Sequence, residues 1–146
     1  MSAGTGIMHS EFNPSDDKPV HLYQIWIKPG QKGLEPGYEQ RGFDEELRRG
    51  RWQVVASPDG RDQSLKIGQD ASVYLATLEP GQELSYELAN GRGAWLQVLR
   101  GKVQLNGQEL DTGDGAAIEH ESDGQVDTSL NISATHAAEV MLFDLA

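Results

Sequence analysis

Cysteine is missing from the 146-residue chain. Its absence excludes disulfide bonds, thiolate nucleophiles and cysteine-based zinc sites, and suits a reducing cytoplasm, the expected location. Histidine is scarce as well, with four residues, so a metal cage rich in imidazole has few donors to draw on. No apolar run comes near the roughly 20 residues that a membrane-spanning helix needs. The first residues show no basic-then-apolar leader pattern, and a membrane is not an expected partner. Basic residues are the minority charge: 12 Lys and Arg stand against 23 Asp and Glu, a net charge of −11. That balance repels phosphate backbones and anionic lipid, so no nucleic acid is expected either.

What the chain does have is enough apolar residue, 37%, for one packed core, together with 17 glycines that punctuate it. The run "VHLYQIWIKPG" is rich in β-branched and aromatic residues, is closed by Pro29-Gly30, and is predicted as a strand. Residues 30–42 read as loop. "FDEELRRG" is the one short helix: Asp44 caps it, Glu45 and Glu46 occupy its first turn, Arg48 and Arg49 its end, and Gly50 stops it. From residue 51 onward the pattern is β throughout: "RWQVVA", "SLKI", "ASVYLATL", "ELSYEL", "AWLQVLRGKVQL", "QELDTGDGAAIE", "QVDTSLNIS" and "EVMLFDL". Asn106-Gly107 is a strong two-residue hairpin signal. Val126, Thr128, Leu130 and Ile132 alternate with polar neighbours as a half-buried strand requires. Short strands with frequent turns predict a sandwich or barrel. Two units are expected: an N-terminal arm with the short helix over 1–50, and a β domain over 51–146.

The chemistry-bearing pair is His9-x-Glu11. On a strand, residues i and i+2 share a side, so this imidazole and carboxylate are placed to share a divalent ion. Two donors fall short of what a useful site needs. His21, His120 and His136 are not expected to complete it. Tyr23 and Trp26 read as core packing residues, with the lining of a ligand cavity as the alternative, Trp52 and Trp95 as core or rim residues, and the run "EHESD" as a solvated acidic turn.

The glycine grammar of the β region, with Pro80-Gly81, Gly101 and Gly113-Asp114, resembles the cupin fold, an RmlC-like jelly-roll β-barrel that often binds a metal. The resemblance implies ligands at set spacings. Counted from Gly81, those positions hold Glu87, Ala89 and Ala94; counted from Gly113, they hold Glu119, Glu121 and Gly124. The turn glycines are kept and the ligand set is not. Glu87 and Tyr86 stand as candidate polar groups at the barrel mouth, where a small-molecule ligand would bind.

A longer resemblance covers nearly the whole chain. "MSAGTGIMHSEFNPS", "HLYQIWIKP", "GYEQRGF", "SPDGRDQSL" and the terminal "MLFDL" resemble the pirin family, in its bacterial quercetinase-like branch. That resemblance implies a bicupin whose N-terminal cupin holds a metal, usually iron, with three His and one Glu, and whose C-terminal cupin holds none. Carried over by position, His9 and Glu11 match the third and fourth ligands, and Glu11 would also serve as the base. The first two ligands belong to an earlier His-Pro-His segment that this sequence does not contain. The chain thus resembles the last part of a pirin, lacking most of the N-terminal cupin. Family enzymes oxidise flavonols such as quercetin with dioxygen.

The expectation is a cupin protein that is catalytically inactive alone, binds no cofactor, and acts as a binding or interaction module. Two alternatives stand beside it. One is a metal-dependent dioxygenase, using Fe or another divalent ion, completed by oligomerisation or a partner chain. The other is a protein-binding regulator. Uncovered strand edges over residues 1–27 predict a homodimer through that region.

Overall fold

The computed structural model describes residues 1–119 and 129–146. Among the described residues, ten strands follow a short 3₁₀ turn at Glu45–Arg48: β1 (Gln53–Ser57), β2 (Leu65–Lys66), β3 (Ala71–Leu78), β4 (Glu83–Glu87), β5 (Gly93–Arg100), β6 (Lys102–Leu105), β7 (Gln108–Asp111), β8 (Gly115–Ile118), β9 (Ser129–Ala134) and β10 (Ala138–Leu145). They form a six-stranded sheet, in the order β2-β1-β3-β10-β5-β8, and a four-stranded sheet, β4-β9-β6-β7. Among the described residues no ladder joins the two sheets, so the jelly-roll is a sandwich with open edges, not a closed barrel.

The core lies between the sheets. Period-two alternation drives one face of each strand inward. In β10, Ala138, Val140, Leu142 and Asp144 are buried while Glu139, Met141, Phe143 and Leu145 are half-exposed. Leu96, Val98, Val140 and Leu142 meet Val103, Leu130 and Ile132 from the opposite sheet, all essentially without solvent contact. Each such side chain contributes about 1.5–3 kcal/mol relative to exposure. "AWLQVLRGKVQL" does not run straight: it breaks at Gly101, where φ is 78° and a Cβ would sit 2.0 Å from the Ala137 carbonyl oxygen. The chain therefore turns from one sheet into the other at that glycine. Asn106-Gly107 turns β6 into β7 with both residues at positive φ, as its composition predicts.

"QELDTGDGAAIE" gives two strands, β7 and β8, the second opening after Gly113-Asp114 as the glycine pattern predicts. Two predictions are corrected. "FDEELRRG" forms four residues of 3₁₀ helix, although Asp44 caps it as expected by accepting from the Glu46 amide, and Gly50 ends it at φ 62°. "VHLYQIWIKPG" is extended but is not a strand: residues 7–29 make no backbone–backbone hydrogen bond among the described residues. A strand is defined by its partner, and propensity alone does not supply one. Of "QVDTSLNIS", Ser129 onward is β9; His120, Glu121, Gly124, Val126 and Thr128 lie outside the described residues.

Candidate functional site

The structure sets His9 and Glu11 side by side, His9 Nε2 lying 3.6 Å from Glu11 Oε1, with both side chains roughly half-exposed. They stand on the first limb of the arm, which returns through a turn closed by Asn13, Ser15, Asp17 and Lys18. The second limb carries Val20 to Ile27. Between the limbs lies a groove of about 490 Å³ lined by Glu11, Phe12, Asn13, Val20, Leu22, Tyr23 and Gln24.

The remaining histidines do not join this pair. His21 packs edge-on against Tyr23, 5.0 Å between ring centres, and its Nδ1 lies 3.3 Å from Arg100 Nη2. That nitrogen faces a permanent donor. His136 is exposed in the turn before β10, beside Thr135. His120 lies outside the described residues. Among those described, no three metal-ligating side chains of His, Asp or Glu converge. One imidazole and one carboxylate do not fit a catalytic metal, which needs about three protein donors and an open position.

The second limb lies over the outer face of the six-stranded sheet. Tyr23 Oη donates to the Leu99 carbonyl at 3.3 Å. A second groove, about 520 Å³, runs between Tyr23–Ile27 and the outward residues Trp95, Gln97, Met141, Phe143 and Leu145. Trp95 lies across Gly115, where a Cβ would meet its ring at 2.3 Å. It is a rim residue, as expected. Trp26 is not a core residue: it is 88% exposed. Trp52 is half-buried against the core and donates from Nε1 to the Ser85 carbonyl at 2.9 Å.

The interior of the cupin holds a different constellation. The alternation of β4 turns Leu84 and Tyr86 inward and leaves Glu87 exposed, which removes Glu87 as a barrel-mouth group. Tyr86 Oη donates to Asp144 Oδ2 at 2.5 Å, and Arg92 Nε donates to Oδ1 of the same carboxylate. Arg92 also reaches Asp70 Oδ1 at 3.1 Å. Beside them, Arg61 donates to Ser72 Oγ at 2.8 Å and to Tyr74 Oη at 2.9 Å. The rings of Tyr74 and Tyr86 lie 5.2 Å apart, and Trp52 packs edge-on against both. Burial first, then the hydrogen bond to Asp144, pushes the Tyr86 hydroxyl far above the ordinary phenol range. This end of the fold is thus filled by a self-satisfied network, with Asp144 held between a neutral phenol and a guanidinium. Sequence reasoning named Tyr86 but missed Asp144 and Arg92. The available signal was parity: in "MLFDL", Asp144 shares a face with buried Leu142.

Comparison with known proteins bears on both parts. A model of the quercetinase C-terminal cupin domain matches residues 54–145, and a pirin model matches residues 1–27. The chain belongs to the pirin family. A quercetin 2,3-dioxygenase of Escherichia coli (strain K12) is 46% identical over 145 residues, 99% of this chain and 59% of the relative. A pirin-like protein of Caulobacter vibrioides is 35% identical over 147 residues, 100% of this chain and 60% of the relative. The crystal structure of the bacterial pirin YhhW from E. coli in complex with nickel(II) matches with a TM-score of 0.72 at 39% identity, covering 82% of this chain and 48% of that one. This chain therefore spans about three fifths of the length of these curated pirin relatives. Its fold is the cupin fold. No helix among the described residues is long and apolar enough to cross a membrane.

Proposed function

We propose that this pirin-family chain acts as a binding or interaction module, catalytically silent by itself, and works in the cytoplasm. One observation carries the reading: among the described residues, the chain contributes only His9 and Glu11 toward a metal, while the cupin interior is occupied by the Tyr86–Asp144–Arg92 network. A dioxygenase reaction requires a firmly held ion with open positions and a dry cavity. A half-exposed pair on an unpaired arm offers neither.

The second reading is a dioxygenase whose site is completed by oligomerisation, so that the purified chain itself supplies the missing ligands. It is favoured by the parallel placement of His9 and Glu11 and by the resemblance to a protein named quercetin 2,3-dioxygenase. One measurement separates the two. Purified chain is loaded with Fe(II) or Ni(II), freed of excess ion, and assayed for bound metal by mass spectrometry and for oxygen uptake with quercetin. The module reading expects metal well below one ion per chain and no uptake above buffer. Stoichiometric metal that is lost in Glu11→Ala, with quercetin-dependent uptake, would establish the dioxygenase.

A further inference from the structure

The β6–β9 register ends with Leu105 opposite Ile132, yet one further rung is made beyond it. The Asn106 amide donates to the Asn131 carbonyl at 2.9 Å. The Asn131 amide donates back, to the side-chain Oδ1 of Asn106 at 2.8 Å. The carboxamide thus takes the place that a main-chain carbonyl holds in a regular antiparallel rung. Its other end is fixed too, Nδ2 donating to the Ser129 carbonyl at 3.2 Å. Both heteroatoms of this side chain are therefore held by β9. Asn-Gly is also a reactive pair. With no Cβ in the way, the Gly107 nitrogen is free to close on Asn106 Cγ, and nothing crowds it: a Cβ added at Gly107 would meet no atom within 4 Å. Asn106 is exposed, so water reaches the product. Ring closure needs the carboxamide to rotate toward its own backbone. A carboxamide bonded at both ends to another strand cannot rotate without breaking both bonds.

We propose that Asn106-Gly107 is a latent modification site, closed while the β6–β7 hairpin is bound to β9 and open once it detaches. In the open state the Gly107 nitrogen bonds to Asn106 Cγ, the Cγ–Nδ2 bond breaks, and Nδ2 leaves as ammonia with the proton from Gly107. The five-membered imide takes up one water and opens at either carbonyl, to Asp or to isoaspartate. No electrons are transferred. Neither product restores the rung. Asp sets a carboxylate oxygen, an acceptor, against the Ser129 carbonyl, and isoaspartate adds a carbon to the main chain of a two-residue turn. The change also adds one negative charge to a chain of −11. Detachment of the hairpin is thereby recorded in covalent form. The inference rests on β6, β7 and β9 alone, apart from the arm and from the module reading.

The test incubates the full chain at mildly alkaline pH and body temperature, in native buffer and in concentrated urea. Cleavage after Lys102 and Glu109 isolates residues 103–109, in which Asn106 is the single asparagine, and mass spectrometry reads the conversion of amide to acid. Conversion is expected to be at least about tenfold slower in native buffer than in urea. Asn90-Gly91, the second Asn-Gly pair, falls in a separate peptide and calibrates the urea rate. Gly107→Ala, whose methyl group shields the attacking nitrogen, should convert more slowly than the wild type in urea, where folding is not required. Asn106→Asp, the product made directly, should lower the thermal midpoint by roughly a few degrees. Equal rates in buffer and urea, or faster conversion in buffer, overturn the closed state. Conversion of Gly107→Ala at the wild-type rate overturns the cyclisation, and an Asn106→Asp chain as stable as the wild type overturns the loss of the rung.

Discussion

Asp144 shows how one buried carboxylate organises its surroundings. Both its oxygens are used, one by Tyr86 and one by Arg92, and the residue is only 9% exposed. Tyr86→Phe removes a donor and leaves one lone pair of Asp144 facing an apolar ring. The expected loss is about 1–2 kcal/mol by urea unfolding. Asp144→Ala is worse, because a half-buried phenol and a guanidinium lose their common acceptor; about 3 kcal/mol is expected. The pH dependence follows from the raised pKa of Tyr86. A raised folded-state value contributes stability that is fully present below the unfolded value and is lost as pH climbs toward the folded one. With an unfolded tyrosine near 10, the wild type should hold its urea midpoint through neutral pH and lose stability above about pH 10. In Tyr86→Phe that alkaline decline should be shallower. Equal alkaline slopes in the two proteins would show that Tyr86 does not titrate against this network.

At the level of elements, the turns decide the order in which strands reach their sheets. The loop after β1 is built on Ser57, which is fully buried and bonds Ser64 Oγ at 2.7 Å and Asp59 Oδ1 at 2.9 Å. Two consecutive non-glycine residues, Asp62 at φ 51° and Gln63 at φ 62°, hold the left-handed conformation there. That conformation costs an L-residue about 1–2 kcal/mol. Gln63→Gly should therefore stabilise the protein by up to about 1 kcal/mol, the entropy of glycine offsetting part of the gain. Gly101→Ala should do the reverse and lower the thermal midpoint sharply, since its Cβ has no room beside Ala137. Calorimetry of both variants checks the pair. A neutral Gly101→Ala would mean that the strand-to-strand turn relaxes freely.

Across the whole molecule, stability is divided unevenly. The cupin strands are laddered and share a core; the arm has exposed apolar side chains and no ladder. Brief digestion with chymotrypsin should cut first after Phe12, Tyr23 or Trp26 and leave a fragment containing β1 to β10 intact. First cuts within β3, β5 or β10 would contradict the proposed division at about residue 50.

How much of this was written in the chain itself can be traced residue by residue. The alternation of Leu130 and Ile132 with polar neighbours and the hairpin signal Asn106-Gly107 determine strands and turns locally, so the β domain was legible in the sequence, while its cupin character came from the resemblance carried by Gly81, Gly101 and Gly113. The His9-x-Glu11 spacing likewise placed two donors together without help from distant parts of the chain. The strand prediction for "HLYQIWI" went wrong because β structure needs a second backbone, and local composition says nothing about who provides it. Nor could spacing reveal the Tyr86–Asp144 bond, whose partners lie 58 residues apart. Local periodicity determined which faces turn inward; only the stacking of two sheets decided which buried polar groups would meet, because hydrogen bonds across a core depend on three-dimensional registry.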